Sequence, residues 1–292
     1  MSLHLRNSKL RRVLLLLSIS SSLATAQPTV SQIGKGLYAY ISDNDASANS
    51  TFLVGAAGIL VVDTGLNETE ASKLLAAIRR VSSLPVRYVV NTHYHPDHQG
   101  GNAVVGPSAT VISTDFTRER TLALQKDPGM KAFHFEPAEL TFQQQVTLHL
   151  EPYIARVYFP GKAHTSGDAL VYFPEQQAIS MGDLFLNHSS PAMDNGSVES
   201  WIHALDLVLE LPLENVVPGH FELATKPELR RFRDYLIDLY EQVRTLKEKN
   251  ETLEQVRRDI HMEKYADFRQ YPKYEATFTD NAVAIYQQMQ AH

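Results

Sequence analysis

The chain is predicted to be an α/β protein, a four-layer αββα sandwich of two facing mixed sheets with helices outside. Three observations lead there. Short apolar runs of strand length outnumber helical stretches, and the order strands, helix, strands, helix is run through twice. The third is that histidines and aspartates fall beside glycines where those strands end, the place at which α/β folds build their sites.

Taken in order, residues 37–42 read as a strand and residues 43–49 as a plain surface loop rather than a flap over a cleft. The runs 51–54 and 59–62 flank Gly55-Ala56-Ala57-Gly58 and read as a hairpin ending at Asp63. Asn67 with Glu70 resembles a capping box, and Ala71, Leu74, Leu75 and Ile78 recur at helical spacing, which predicts a helix of about three turns. Pro85 starts a strand over 86–90 that delivers the chain to Asn91-Thr92-His93. A buried strand is expected over 104–114, whereas 115–139 shows no pattern that resolves it. Strands at 146–149, 154–159, 169–173 and 178–181, a helix over 198–211 and a short strand at 216–217 complete the unit. Thr225 and Glu228 then open a long helix whose apolar stripe runs through Leu229, Phe232, Leu236, Tyr240, Val243 and Leu246. The expected division is a leader over 1–26, the αββα domain over 27–225 and a C-terminal helical extension over 226–292.

The leader is inferred from Arg6, Lys9, Arg11 and Arg12 ahead of the apolar run 13–17, followed by Ser-rich sequence and Ala24-Thr25-Ala26. That order predicts a secretory signal cleaved before Gln27, because the apolar run falls well short of the ~20 residues that span a bilayer. The expected location is therefore periplasmic or secreted, with no stable membrane insertion of the mature chain. Removal of 1–26 leaves 23 Lys+Arg against 33 Asp+Glu, a formal charge of −10, which repels nucleic acid. The chain has no cysteine, so a metal site must be built from nitrogen and oxygen.

Such a site is written in His93-Tyr94-His95-Pro96-Asp97-His98. Alternate residues leaving a strand point the same way, so His93 and His95 can grip one ion. Pro96 suits the turn that would aim Asp97 and His98 into the same cavity, and Gly100 and Gly101 let backbone pass closely. His164 in Gly161-Lys162-Ala163-His164, Asp183 in Met181-Gly182-Asp183 and His220 in Pro218-Gly219-His220 each stand at a strand end beside glycine. Singly each is a loop residue; together with the cluster they make a set of seven metal ligands.

With these motifs in hand, the sequence resembles the metallo-β-lactamase superfamily over about residues 33–225, through Asp63, the His93–His98 cluster, His164, Asp183 and His220 in that order. The resemblance implies a metallo-β-lactamase fold with one ion on His93, His95 and His164, a second on Asp97, His98 and His220, and Asp183 bridging them. Two Zn²⁺ with two carboxylates and one hydroxide leave a net charge of about +1. That charge suits a developing oxyanion or an anionic small-molecule substrate. A metal-bound hydroxide would be the nucleophile, and Asp97 would orient it as well as ligate. Iron and manganese are the other ions that such donors accept.

Around the ligands, Asp63 is expected either to orient the cluster loop or to serve only as a turn carboxylate in Asp63-Thr64-Gly65, while Asp168 is assigned a structural role. His188 is expected on an exposed loop; His134, His149, His203 and His261 lack supporting context, and Trp201 is expected to pack in the core with Leu205 and Val208.

Export resembles the secreted β-lactamase branch. Asp183, however, stands where one zinc β-lactamase class has cysteine, and Leu186 where that class has a substrate-binding lysine. Leu184 and Phe185 likewise do not supply the serines of the class that uses H-x-H-x-D-H. Asp183 is more similar to the glyoxalase II and lactonase branches, although export leaves the glutathione-rich cytosol and Leu186 replaces a lactonase tyrosine. The expected activity is hydrolysis of a small carbonyl compound, a β-lactam amide or an ester, lactone or thioester. An iron-dependent sulfur-compound oxygenase and a non-catalytic metal-binding accessory protein are the alternatives; oligomeric state is not legible.

Overall fold

The computed structural model describes residues 27–193, 195–269 and 277–290, so the expected leader lies outside the described residues. Seven strands cross the first sheet in chain order: β1 (Thr29–Gly34), β2 (Leu37–Ile41), β3 (Ser50–Val54), β4 (Ile59–Val62), β5 (Val86–Val90), β6 (Thr110–Thr114) and β7 (Leu140–Phe142). β1 to β4 run antiparallel, and β4 to β7 parallel. The second sheet has the order β12-β11-β10-β9-β8, from β8 (Gln145–Leu150), β9 (Tyr153–Tyr158), β10 (Leu170–Phe173), β11 (Ala178–Ser180) and β12 (Asn215–Val217). Only the β11–β12 pair in it is parallel.

Side-chain alternation turns these strands into three apolar layers. In β4, Leu60 and Val62 enter the layer between the sheets, where they meet Val157, Val171 and Phe173. Their neighbours Ile59 and Val61 face outward onto Leu74 and Ile78 of helix α1 (Glu68–Val81). Burial on both faces is why β4 reads as an uninterrupted apolar run rather than an alternating one. Tyr172 and Ile179 of the second sheet likewise pack outward, into a layer holding Trp201, Leu229, Phe232 and Leu236. Three apolar layers separate four layers of backbone, and the αββα sandwich follows.

Two short helices lie between β5 and β6, α2 (Pro96–Gln99) and α3 (Asn102–Val105), and α4 (Asp115–Leu124) follows β6. The outer face of the second sheet is covered by α5 (Val198–Glu210) and α6 (Lys226–Glu248), followed by α7 (Leu253–Asp259) and α8 (Phe278–Gln288). Among the described residues no helix is long and apolar enough to cross a membrane.

Two expectations are corrected, and two elements appear where none was expected. The strand expected over 104–114 is two elements: Val104 and Val105 close α3, Gly106-Pro107 breaks the chain, and β6 starts only at Thr110. A run of valines cannot by itself tell a buried helical turn from a strand. The unresolved 115–139 contains α4, capped by the Thr114 hydroxyl accepting from Thr117 N, and its weak amphipathicity hid it. At α1, Asn67 Oδ1 accepts from Thr69 N and Glu70 N at 3.0 and 3.1 Å, but the reciprocal half of the box is replaced by Glu70 pairing with Lys73 and Asn44. Finally, 29–34 is a strand with no strong apolar pattern, held by antiparallel pairing to β2.

Candidate metal centre

The first cluster forms because β5 ends at Val90 and Asn91-Thr92 carries the chain out of the sheet to His93, which is 1% exposed. His95 still has extended backbone, and Pro96 at the first helical position then turns the chain into α2. That turn aims Asp97 and His98 back toward the same cleft. Gly100 is required here, since a Cβ would come within 2.0 Å of Leu66 O. The other three residues arrive from the second sheet: His164 between β9 and β10, Asp183 just past β11, and His220 just past β12.

All seven side chains converge. Ligand atoms of His93, His95, His164 and Asp183 lie within 4.8 Å of one another, and those of Asp97, His98 and His220 form a second such group. Within the first, His95 Nδ1 is 3.0 Å from His93 Nε2 and 3.2 Å from His164 Nε2. Two nitrogens bound tetrahedrally to one zinc at about 2.0–2.1 Å stand about 3.3 Å apart, so this tripod has the spacing of a metal site. Asp183 spans both groups: Oδ2 lies 3.6 Å from His164 Nε2, while Oδ1 lies 3.2 Å from His98 Nε2 and 3.6 Å from His220 Nε2. Asp97 Oδ2 is 3.1 Å from His220 Nε2 and 3.5 Å from His98 Nε2.

Two buried atoms show that the donors fit a cation. His98 Nε2 and Asp183 Oδ1 are 3.2 Å apart as an ion pair, yet neither makes a hydrogen bond of good geometry. Buried polar atoms left unpaired in this way are costly. A cation coordinated by both atoms would satisfy them together. Gly219 keeps that arrangement open, because a Cβ there would sit 2.0 Å from Asp183 Oδ1.

The imidazoles are oriented from behind. Asp63, held at φ 56°, accepts from Thr92 N at 2.8 Å through Oδ1 and from Thr92 Oγ1 at 2.7 Å through Oδ2. His98 Nδ1 lies 2.8 Å from the same Oδ2 and donates to it. The Thr92 hydroxyl, its one proton given to Asp63, accepts from His93 Nδ1 at 3.1 Å. His164 Nδ1 donates to Ala192 O at 2.8 Å. Fixing a proton on Nδ1 in all three makes each Nε2 the nitrogen left to bind an ion, directly in His93 and His164 and after loss of a second proton in His98. Of the two roles expected for Asp63, orienting the loop is the one observed. Asp168 is structural as expected: it accepts from Thr165 N and Thr165 Oγ1 at 2.8 and 2.7 Å and so ties the His164 loop. Complete burial raises its pKa to about 7 despite those bonds.

In the metal-free protein His93 and His164 contrast with His98 and His220. Burial pushes His93 well below its ordinary value and His164 down to about 4, so both are neutral. Burial acts on His98 and His220 too, but Asp183 and Asp97 outweigh it and raise both. Asp183 itself is opposed by burial and carried well below the carboxylate range by His98 and His220.

Other placements complete the site. The His188 side chain is 40% exposed and pairs with Asp267 at 3.2 Å, away from the cleft, and His134, His149, His203 and His261 are all exposed. Trp201 is fully buried, donates from Nε1 to Leu184 O at 2.9 Å, and sets its ring edge against His164 at 5.9 Å. The 43–49 segment is not a plain surface loop. Ala48 N donates to Asp97 O at 3.2 Å, Asn49 N to Gly219 O at 2.7 Å, and Asn49 Nδ2 to Phe221 O at 2.7 Å. Asp45 from this segment lines the cleft beside Leu186, Ser190, Ala192 and Phe221. Of these wall residues the sequence singles out Leu186, through its place three residues after Asp183; only tertiary contact distinguishes the others.

An αββα sandwich whose strand ends gather two adjoining His/Asp groups defines a protein with a metal centre. The sequence profile of the Metallo-beta-lactamase superfamily matches residues 43–220. The chain therefore belongs to the metallo-beta-lactamase superfamily, whose members similar to it include metal-dependent hydrolases. It is 24% identical over 222 residues, 73% of this chain and 84% of that protein, to the "Metallo-beta-lactamase type 2" of Bacillus cereus. The metallo-beta-lactamase from Pontibacter korlensis superimposes with a TM-score of 0.61 at 24% identity, over 72% of this chain and 99% of that one. The sec-alkylsulfatase Pisa1 from Pseudomonas sp. superimposes with a TM-score of 0.70 at 16% identity, over 89% of this chain but 50% of the sulfatase. At these identities the structural likenesses speak for the fold alone.

Proposed function

We propose that the protein is an exported dinuclear zinc hydrolase that cleaves a small carbonyl substrate, a β-lactam amide or an ester, lactone or thioester. The observation that carries this reading is the pair of His/Asp groups joined by Asp183. In it His93, His95 and His164 would hold one ion and Asp97, His98 and His220 the other, with Asp183 within reach of both groups. Zinc bound there supplies a water nucleophile at neutral pH and polarises the carbonyl under attack. Asp97, whose Oδ2 lies 3.1 Å from His220 Nε2, would orient that water and accept its proton. Leu186, Ala192 and Phe221 give the cleft apolar walls that exclude solvent from a bound acyl group, while Asp45 and Ser190 add polar contacts.

Loaded with zinc, the purified mature chain is expected to turn over at least one of a β-lactam, a lactone, a simple ester and a thioester. A chelator should abolish the rate and added zinc restore it. Zinc-replete protein inert to all four would overturn the reading. Oxygen uptake with an iron-loaded preparation and a sulfur substrate would favour the oxygenase instead. Export is checked separately by the intact mass of the protein recovered outside the cytoplasm, expected to begin at Gln27; retention of residues 1–26 would contradict it.

A further inference from the structure

The hydrolase reading leaves Asn281 of α8 without a role. It is 2% exposed and lies on the apolar side of its helix, where Ala282 and Ile285 already supply packing. A carboxamide in such a place is unfavourable unless bonded, and here it is bonded in one direction. Its Nδ2 lies 2.8 Å from Pro191 O, 2.9 Å from Ser190 Oγ and 3.0 Å from Tyr235 Oη. Tyr235 Oη is in turn 3.1 Å from Ser190 Oγ, so two amide protons and two hydroxyls are shared in a closed buried network.

That network grips the wall of the metal cleft from behind. Ser190 and Ala192 line the cleft, and Ala192 O, the carbonyl next after the one Asn281 holds, accepts from His164 Nδ1. One short stretch of backbone is thus clamped by α8 on one side and clamps a histidine of the centre on the other. A second anchor holds its start: Ser190 N donates to Arg269 O at 2.9 Å, and Arg269 N to His188 O at 2.8 Å.

We propose that Asn281 is a positioning residue of the metal centre, which by fixing residues 190–192 keeps His164 protonated on Nδ1, its Nε2 facing the centre, and holds the cleft wall in shape. Its effect on turnover rests on the hydrolase reading, whereas its effect on His164 does not.

Two variants separate positioning from mere helix docking. Asn281→Asp preserves size but sets an acceptor against Pro191 O; Ile285→Ala loosens the same helix and keeps the carboxamide. In metal-free protein with ¹⁵N-labelled histidine, the wild type should show a His164 Nδ1 proton protected from exchange. Asn281→Asp should speed its exchange by at least about tenfold, and Ile285→Ala should leave it protected. With zinc, Asn281→Asp should raise the zinc dissociation constant and KM by about tenfold each, with kcat changing less. Equal behaviour of the two variants, or no protected proton in the wild type, would overturn the proposal. A wild type that binds zinc but hydrolyses nothing would sink the hydrolase reading and leave the proton and zinc measurements as the test.

Discussion

Asp97→Asn is expected to lower kcat by about 10²–10⁴-fold, the range spanned by loss of a positioned proton acceptor, while shifting the thermal midpoint by only a few degrees. The carboxylate lies on the floor of the cleft with a 13% exposed side chain, so the substitution opens no cavity in the core. What is lost is negative charge in the cleft, together with an anionic partner for His220 at 3.1 Å. A carboxamide of the same shape still offers one weak oxygen to an ion but cannot take a proton. Steady-state rates at saturating zinc, with metal content measured on the same sample, isolate the effect. A rate within twofold of the parent would refute the role given to Asp97.

Asp63→Asn is expected to act through metal binding instead, weakening zinc by about 10–100-fold without touching the ion. The left-handed backbone at φ 56° is one that Asn tolerates, so the backbone is kept and only the acceptor set changes. Asp63 accepts three protons, from Thr92 N, Thr92 Oγ1 and His98 Nδ1. A carboxamide must present its NH₂ to one or more of them. If it faces His98 Nδ1, the imidazole answers by moving its proton to Nε2, the nitrogen that would bind the ion. The Thr92 hydroxyl is disturbed in the same step, which carries the fault to His93. Competition against a chromogenic chelator measures the loss; an unchanged zinc affinity would show that Asp63 does not set the tautomer.

The fold and the convergence of seven His and Asp side chains were legible in the sequence for different reasons. β5 was readable to the residue because a valine- and tyrosine-rich stretch starting after Pro85 admits few alternatives. The seven converging side chains were readable because their chemistry is improbable together and glycine marks each approach. α3 was misread because Val104 and Val105 look the same in a strand and in a buried turn. Asn49, Ser190, Phe221 and Asn281 could not be found at all. Each acts through a backbone atom that only folding brings near, as Asn49 does with Pro218 O and Phe221 O across about 170 residues of chain.

Calorimetric titration of the metal-free protein with zinc, near pH 6 and near pH 8, tests the two-group centre most directly. His93 and His164 are held neutral by burial, so the group they form with His95 should load at both values. His98 and His220 are raised by Asp183 and Asp97 and carry protons that an ion must displace. Binding to their group should therefore release protons and strengthen as pH rises. The expected result is one ion near the lower pH and two near the higher, the second accompanied by proton release. A single ion at both values, or two bound with no proton released, would contradict the centre described here.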